Sequence, residues 1–193
     1  MAIKAELVPP IPEGDAVISD CGKYRYRLGR TITQHQGGLF QDHGVDNLGT
    51  VLFIMHNPST ADARQDDPTI GRCQSFARGW GYGRLEVVNL FAFRATNPVE
   101  LMVARKPITG VQRDVIGPDN DQHIHRAVGD ADLVVCAWGN MNTSWKQARA
   151  REVRAMVKVP HALAFTQSGD PRHPLYVRKY TQPAPWEPIG GPR

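Results

Sequence analysis

Four short apolar runs, each closed by a polar turn, punctuate the chain, and segments of helical period lie between them. The first run, Val51-Leu52-Phe53-Ile54-Met55, carries no charge and stops at His56-Asn57-Pro58-Ser59. Such a run fits a strand buried on both faces of a parallel sheet, and Asn-Pro-Ser supplies turn and helix-entry chemistry. Similar runs fall at 85–91, 132–138 and 162–165. Between them, 71–79, 98–106, 122–128 and 144–158 read as helices: Cys73, Phe76 and Ala77 share helical spacing in the first, as do Trp145, Ala148, Val153 and Val157 in the last. Alternating strands and helices predict a three-layer α/β/α domain with a central, mainly parallel four-stranded sheet. Its polar turns then gather at one sheet edge, where open α/β sheets place their ligands.

The remaining segments complete one expected domain over 1–193. Residues 23–30, Lys-Tyr-Arg-Tyr-Arg-Leu-Gly-Arg, alternate at period two, which predicts a half-buried antiparallel or edge strand with its arginines facing solvent. Residues 1–19, with Pro9, Pro10 and Pro12, and 182–193, with Gly190-Gly191-Pro192, read as loose termini. The stretch 34–49 is a glycine-rich loop whose His35 and His43 read as exposed loop residues, and 107–117 is an irregular connection.

Composition narrows the class. With 41% hydrophobic and 22% charged residues, the chain is built like an ordinary globular domain. No apolar run approaches the roughly 18 residues that span a bilayer, and Glu6 interrupts what would be the core of a signal peptide, so the expected location is the cytoplasm. Cys21, Cys73 and Cys136 are widely spaced and odd in number; they predict no disulfide framework or zinc site and read as buried small hydrophobes. A net charge of +4 is modest, but 143–179 holds eight Lys or Arg against Glu152 and Asp170. That local excess suits either a polyanion or a solvated helix face.

Candidate chemistry sits at the strand ends: Asn57, Asn89, Gly139-Asn140 and His173. Neither a G-x-G-x-x-G fingerprint nor a P-loop is present, which weakens a nucleotide-cofactor reading. Asn57 and Asn89 either pin turns or read a ligand edge. A metal-dependent hydrolase would draw on Asp66, Asp67, Asp119, Asp121, His123 and His125, but His123 and His125 on one helix point apart, so no metal is expected.

Several segments carry a resemblance: Met55-His56-Asn57-Pro58-Ser59, Asp67-Pro68-Thr69-Ile70, Trp80-Gly81-Tyr82-Gly83, Asn89-Leu90-Phe91-Ala92, Gly117-Pro118-Asp119-Asn120-Asp121, Trp138-Gly139 and His173-Pro174-Leu175-Tyr176. Together they resemble the bacterial and phage family of unknown function numbered 1643. More distantly, Asn57-Pro58-Ser59, Val88-Asn89-Leu90 through Thr96-Asn97-Pro98, Ala137-Trp138-Gly139 and His173-Pro174 are similar, in order, to the motifs of the uracil-DNA glycosylase superfamily.

That second resemblance implies a uracil-DNA glycosylase-like fold and hydrolysis of an N-glycosidic bond on an unusual or modified base. It implies catalytic roles for Asn57, positioning water, and His173, donating to the departing base. By the same resemblance Asn89 contacts the base edge, His56 and Ser59 line its pocket, and Phe76 or Phe91 stacks on it. Arg149, Arg154, Arg172 and Arg178 would hold phosphates of DNA or a nucleotide-like ligand. An amide cannot take a proton near neutral pH, so Asp62, Asp66 or Asp67 would have to assist. The three cysteines fall short of an iron–sulfur cluster, and no cofactor is expected. Leu175-Tyr176 replaces the Ser-Pro that follows His-Pro in the uracil enzymes. The alternative is a non-catalytic module that binds nucleic acid or a nucleotide in the same pocket.

Overall fold

The structure, a computed structural model, describes residues 14–32, 48–96, 98–106, 110 and 113–187. Pro9, Pro10, Pro12, His35, His43, Asn97 and Gly190-Gly191-Pro192 lie outside these. In chain order the elements are β1 (Gly14–Ile18), β2 (Arg25–Thr31), β3 (Thr50–Met55), α1 (Pro68–Gly79), β4 (Arg84–Asn89), α2 (Pro98–Arg105), α3 (Asn120–Asp130), β5 (Leu133–Cys136), α4 (Ser144–Ala155), β6 (Pro160–Ala162) and β7 (Ala184–Pro185), with a short 3-10 turn at Pro174–Tyr176.

The apolar runs become the middle of one sheet ordered β1-β2-β4-β3-β5-β6-β7, the fourth strand forming at Pro160–Ala162, shifted towards the amino end from the run at 162–165. Strands β4, β3, β5 and β6 are mutually parallel, as the strand–helix alternation requires. The sheet is nevertheless mixed and seven-stranded, not a four-stranded parallel one. Strands β2 and β1 add antiparallel beyond β4, and β7 adds antiparallel beyond β6. Two of the extra strands lie in the segments read as loose ends. Strand β7 is two residues long and includes Pro185, which an edge tolerates because no outer neighbour needs its missing N–H.

Successive residues of the central strands face opposite layers. Val51, Phe53, Met55, Leu85, Val87, Val135 and Ala137 pack against Ile70, Cys73, Phe76 and Ala77 of α1. Leu52, Ile54, Val88, Val134 and Cys136 pack against Leu101 of α2, Ile124 and Ala127 of α3, and Ala150 and Val153 of α4. Helix α1 starts at Pro68, earlier than the apolar period indicates, because Asp67 caps it by accepting from the Ile70 N–H at 2.9 Å. Cys73 and Cys136 are buried in the two cores, whereas Cys21 is exposed.

Two of the three β2 arginines do not face solvent, while Arg27 is half-buried. Arg25 is 2% exposed and Arg30 1% exposed. Ile18 pairs with Arg25 while Val17 pairs with Arg27, so the ladder shifts by one residue at Tyr26 and the period-two alternation breaks there. Arg25 donates to the Ala61 carbonyl at 2.7 Å, and Arg30 to the Asp62 carbonyl at 2.5 Å and the Asp66 carboxylate at 2.8 Å. Both guanidinium groups thus hold the loop that leads from β3 to α1.

The chain passes from β3 to β4 on one side and later returns to β5 on the other side of β3. The strand order therefore reverses at β3, and a crevice opens at the carboxyl ends of β3 and β5.

Candidate functional site

A cavity of about 420 Å³ occupies that crevice. Asn57 and Ser59 reach it from the turn after β3, Asn89 from the end of β4, Trp138 and Gly139 from the end of β5, and His173 from the loop after β6. Gly139 makes the last approach possible. Its φ of 76° lies where side chains are strained, its N–H donates to the Pro171 carbonyl at 2.8 Å, and a Cβ there would stand 3.6 Å from that of His173.

Asn57 is tied down. Its Nδ2 donates to the Ala95 carbonyl at 2.7 Å and to the Pro58 carbonyl at 3.1 Å. Two carbonyl acceptors fix the amide orientation, so Oδ1 accepts from His56 Nδ1 at 2.9 Å and His56 must carry its proton on Nδ1. Burial, reinforced by the Lys146 ammonium, pushes the His56 imidazole down to about 4. His56 is therefore neutral near pH 7, with Nε2 a buried lone pair that has no partner among the described residues.

This titration predicts an acid-labile fold. The folded imidazole refuses a proton that the unfolded one takes up near its ordinary 6.5. Stability is complete above pH 6.5 and declines as pH falls towards 4, by at most about 3 kcal/mol. Melting curves of the wild type should steepen in that window, while His56→Gln, which keeps a donor for Asn57, should flatten the profile. Parallel profiles would exclude His56 as the source.

The other walls offer donors. Asn89 is 1% exposed, and its Nδ2 has no partner among the described residues. Its backbone is held in place, since Asn120 Nδ2 donates to the Asn89 and Leu90 carbonyls at 3.0 and 3.2 Å. The Trp138 indole N–H is likewise buried and unpaired among the described residues. His173 Nδ1 accepts from the Leu175 N–H at 3.4 Å, which leaves Nε2 to carry the proton; burial holds this imidazole below its ordinary range and hence neutral.

Three charged groups that the strand-end reading did not single out also line the cavity: Arg25, Asp67 and Lys146. Of the three aspartates considered as assistants to Asn57, Asp67 alone is there. Asp62 accepts from the N–H groups of Arg64 and Gln65, and Asp66 is engaged by Arg30 and Gln74. One oxygen of Asp67 caps α1, and no described residue bonds the other.

Several expected site residues lie elsewhere. Phe76 and Phe91 are each 1% exposed, in the cores on opposite sheet faces, and cannot stack on a ligand. Besides the buried Trp138, the exposed Tyr176 presents an aromatic ring at the cavity. Arg149 is buried and occupied by the Leu90 carbonyl at 2.9 Å, by Asp121 and by Glu152. Arg154 donates to the Val157 and Trp186 carbonyls and stacks 5.2 Å from the Trp186 ring centroid. These two arginines brace the fold, leaving Arg172, half-buried, and Arg178, exposed, from the expected phosphate-binding set. The carboxylates and histidines of the metal reading do not converge: among the described residues no group of three or more His, Cys, Asp or Glu could hold an ion, and His123 stacks on Tyr26 at 4.9 Å. Among the described residues no helix is long and apolar enough to cross a membrane.

Fold and site together define an α/β protein with a donor-lined cavity at the point where the strand order of its mixed sheet reverses. Residues 25–175 match the family described as "Protein of unknown function (DUF1643)", and the chain belongs to that family. The match covers every cavity residue except Tyr176, one position beyond it. No curated protein and no solved structure matches the chain.

Proposed function

We propose that the cavity binds a nucleobase and hydrolyses its N-glycosidic bond. The observation that carries this reading is the pair of buried, unpaired donors, Asn89 Nδ2 and Trp138 Nε1, beside the His173 ring and the Asp67 carboxylate. An unpaired buried donor is costly, and a base edge with exposed carbonyl oxygens would satisfy both. The ordered series Asn57-Pro58, Asn89, Trp138-Gly139 and His173-Pro174, similar to the uracil-DNA glycosylase superfamily, supports the same chemistry and a related fold.

In the proposed reaction Asp67 accepts a hydrogen bond from water, whose oxygen attacks C1′ of the sugar. The C1′–N bond breaks with its electron pair leaving on the base. Donors from Asn89 and His173 Nε2 stabilise the anion that develops on the base oxygen. The proton lost by the water passes to Asp67 and then to the base. Asn57 holds the turn, while Tyr176 at the rim stacks on the base.

The test is release of free base, followed by chromatography, from uracil-, hypoxanthine-, mismatch- and hypermodified-base-containing DNA, single- and double-stranded, and from free nucleosides and nucleotides. His173→Ala should lower release by roughly 100-fold with the fold retained. If no substrate releases base, the hydrolytic reading falls. The engagement of Asn57 Oδ1 by His56 favours one alternative, a non-catalytic nucleotide-binding module, and saturable binding without release would establish it.

A further inference from the structure

We propose that Lys146, in the first turn of α4, is an anion subsite of this cavity and holds a ligand phosphate, making the substrate a phosphorylated nucleotide rather than a bare base or internal duplex DNA. The inference deepens the base-binding reading and rests on it for the nucleotide's identity, though not for the phosphate site itself.

Lys146 is 4% exposed, lies in the first turn of a 12-residue helix and lines the cavity. No described carboxylate lies within ion-pair distance of its ammonium, which lies 5.6 Å from the Trp145 ring centroid. The placement runs against the helix dipole, because the amino end of a helix is its positive end and disfavours a cation. That first turn holds no acidic residue, and Thr143 at the N-cap makes no side-chain capping bond. Lys146 thus carries a buried ammonium into the cavity from a helix amino end that has no acidic residue in its first turn, while Thr143 lines a separate groove with Arg105 and Trp145. A phosphate would answer the Lys146 charge, and the positive end of the helix favours an anion there.

The rest of the chain argues against the phosphates of a long duplex as the source. Of the three basic residues further along α4, Arg149 and Arg154 are consumed by internal partners and only Arg151 is exposed. A cavity of about 420 Å³ is of the order that takes one nucleotide-sized ligand. Arg25 on another wall is held by the Ala61 carbonyl at 2.7 Å and feels the Asp67 charge, whereas no described carboxylate lies within ion-pair distance of Lys146.

Calorimetric titration tests this with inorganic phosphate, with nucleoside 5′-monophosphates against the matching nucleosides, and with 5′-phosphorylated against 5′-hydroxyl oligothymidylates. The monophosphates should bind at least roughly tenfold more tightly than the nucleosides, inorganic phosphate should compete, and Lys146→Met should abolish that difference. Lys146→Gln serves the same purpose should the methionine variant fail to fold. Tighter binding of the phosphorylated oligonucleotide than of the mononucleotide identifies a strand end as the phosphate source, and the reverse identifies a free nucleotide. Equal affinities with and without phosphate, or a phosphate preference that survives both substitutions, overturn the subsite. Phosphate binding lost in the Lys146 variants upholds it even where no base is released, an outcome that sinks only the hydrolytic reading. Base release from nucleosides with no phosphate preference sinks only the subsite.

Discussion

Arg30→Met is expected to destabilise the protein by roughly 3 kcal/mol and to depress turnover in the fraction that remains folded. Arg30 is almost wholly buried, and its guanidinium donates to the Asp66 carboxylate and to the carbonyls of Gly29, Asp62 and Gln65. Methionine matches much of the stem volume but removes every donor, stranding acceptors in the loop that carries Asp67 into the cavity. Urea titration gives the stability change. Arg27→Met is the comparison, because Arg27 is a partly exposed partner of Asp15 and Glu86 and should cost under about 1 kcal/mol. Equal losses in the two variants would show that Arg30 does not clamp the loop.

Asp67→Asn is expected to leave the melting temperature nearly unchanged while lowering base release by about 100- to 1000-fold. Asparagine caps a helix as well as aspartate does, so the bond to the Ile70 N–H survives. What is lost is the only carboxylate lining the cavity among the described residues, and an amide cannot take a proton from water. Retained turnover would move water activation to another group, His56 Nε2 being the acceptor nearest in character. A large loss of stability would instead show that the Asp67 charge, which favours the buried Arg25 guanidinium, is mainly structural.

Helix α4 shows how far periodicity reaches. Its apolar spacing points to Trp145, Ala148, Val153 and Val157, yet the helix buries Lys146 and Arg149 beside Ala150 and Val153. A pattern scored on hydrophobicity ranks a lysine as outward-facing. Arg149 can be inside because Asp121 and the Leu90 carbonyl meet it there, partners 28 and 59 residues away in sequence. The same blindness explains Arg25 and Arg30, whose acceptors lie on the loop from Ala61 to Asp66. Phe76 and Phe91 err in the opposite sense: aromatic rings near a strand-end site suggest stacking, but both are needed to fill the cores on either side of the sheet.

By itself the amino-acid sequence determined the central apolar strands and their parallel arrangement, the four intervening helices and the gathering of Asn57, Asn89, Gly139-Asn140 and His173 at one sheet edge, although the fourth strand forms at 160–162 and not at 162–165. Those features rest on local quantities: hydrophobic period, turn chemistry and the rule that strand–helix–strand units wind in parallel. Only the tertiary structure decided the antiparallel edge strands, the tethering of Asn57 by Ala95, the arrival of Asp67 and Lys146 in the cavity, and the diversion of Arg149 and Arg154 into bracing. The reason is that edge pairing spends backbone hydrogen bonds, which no side-chain pattern records, and that burying a charge depends on partners distant in the chain.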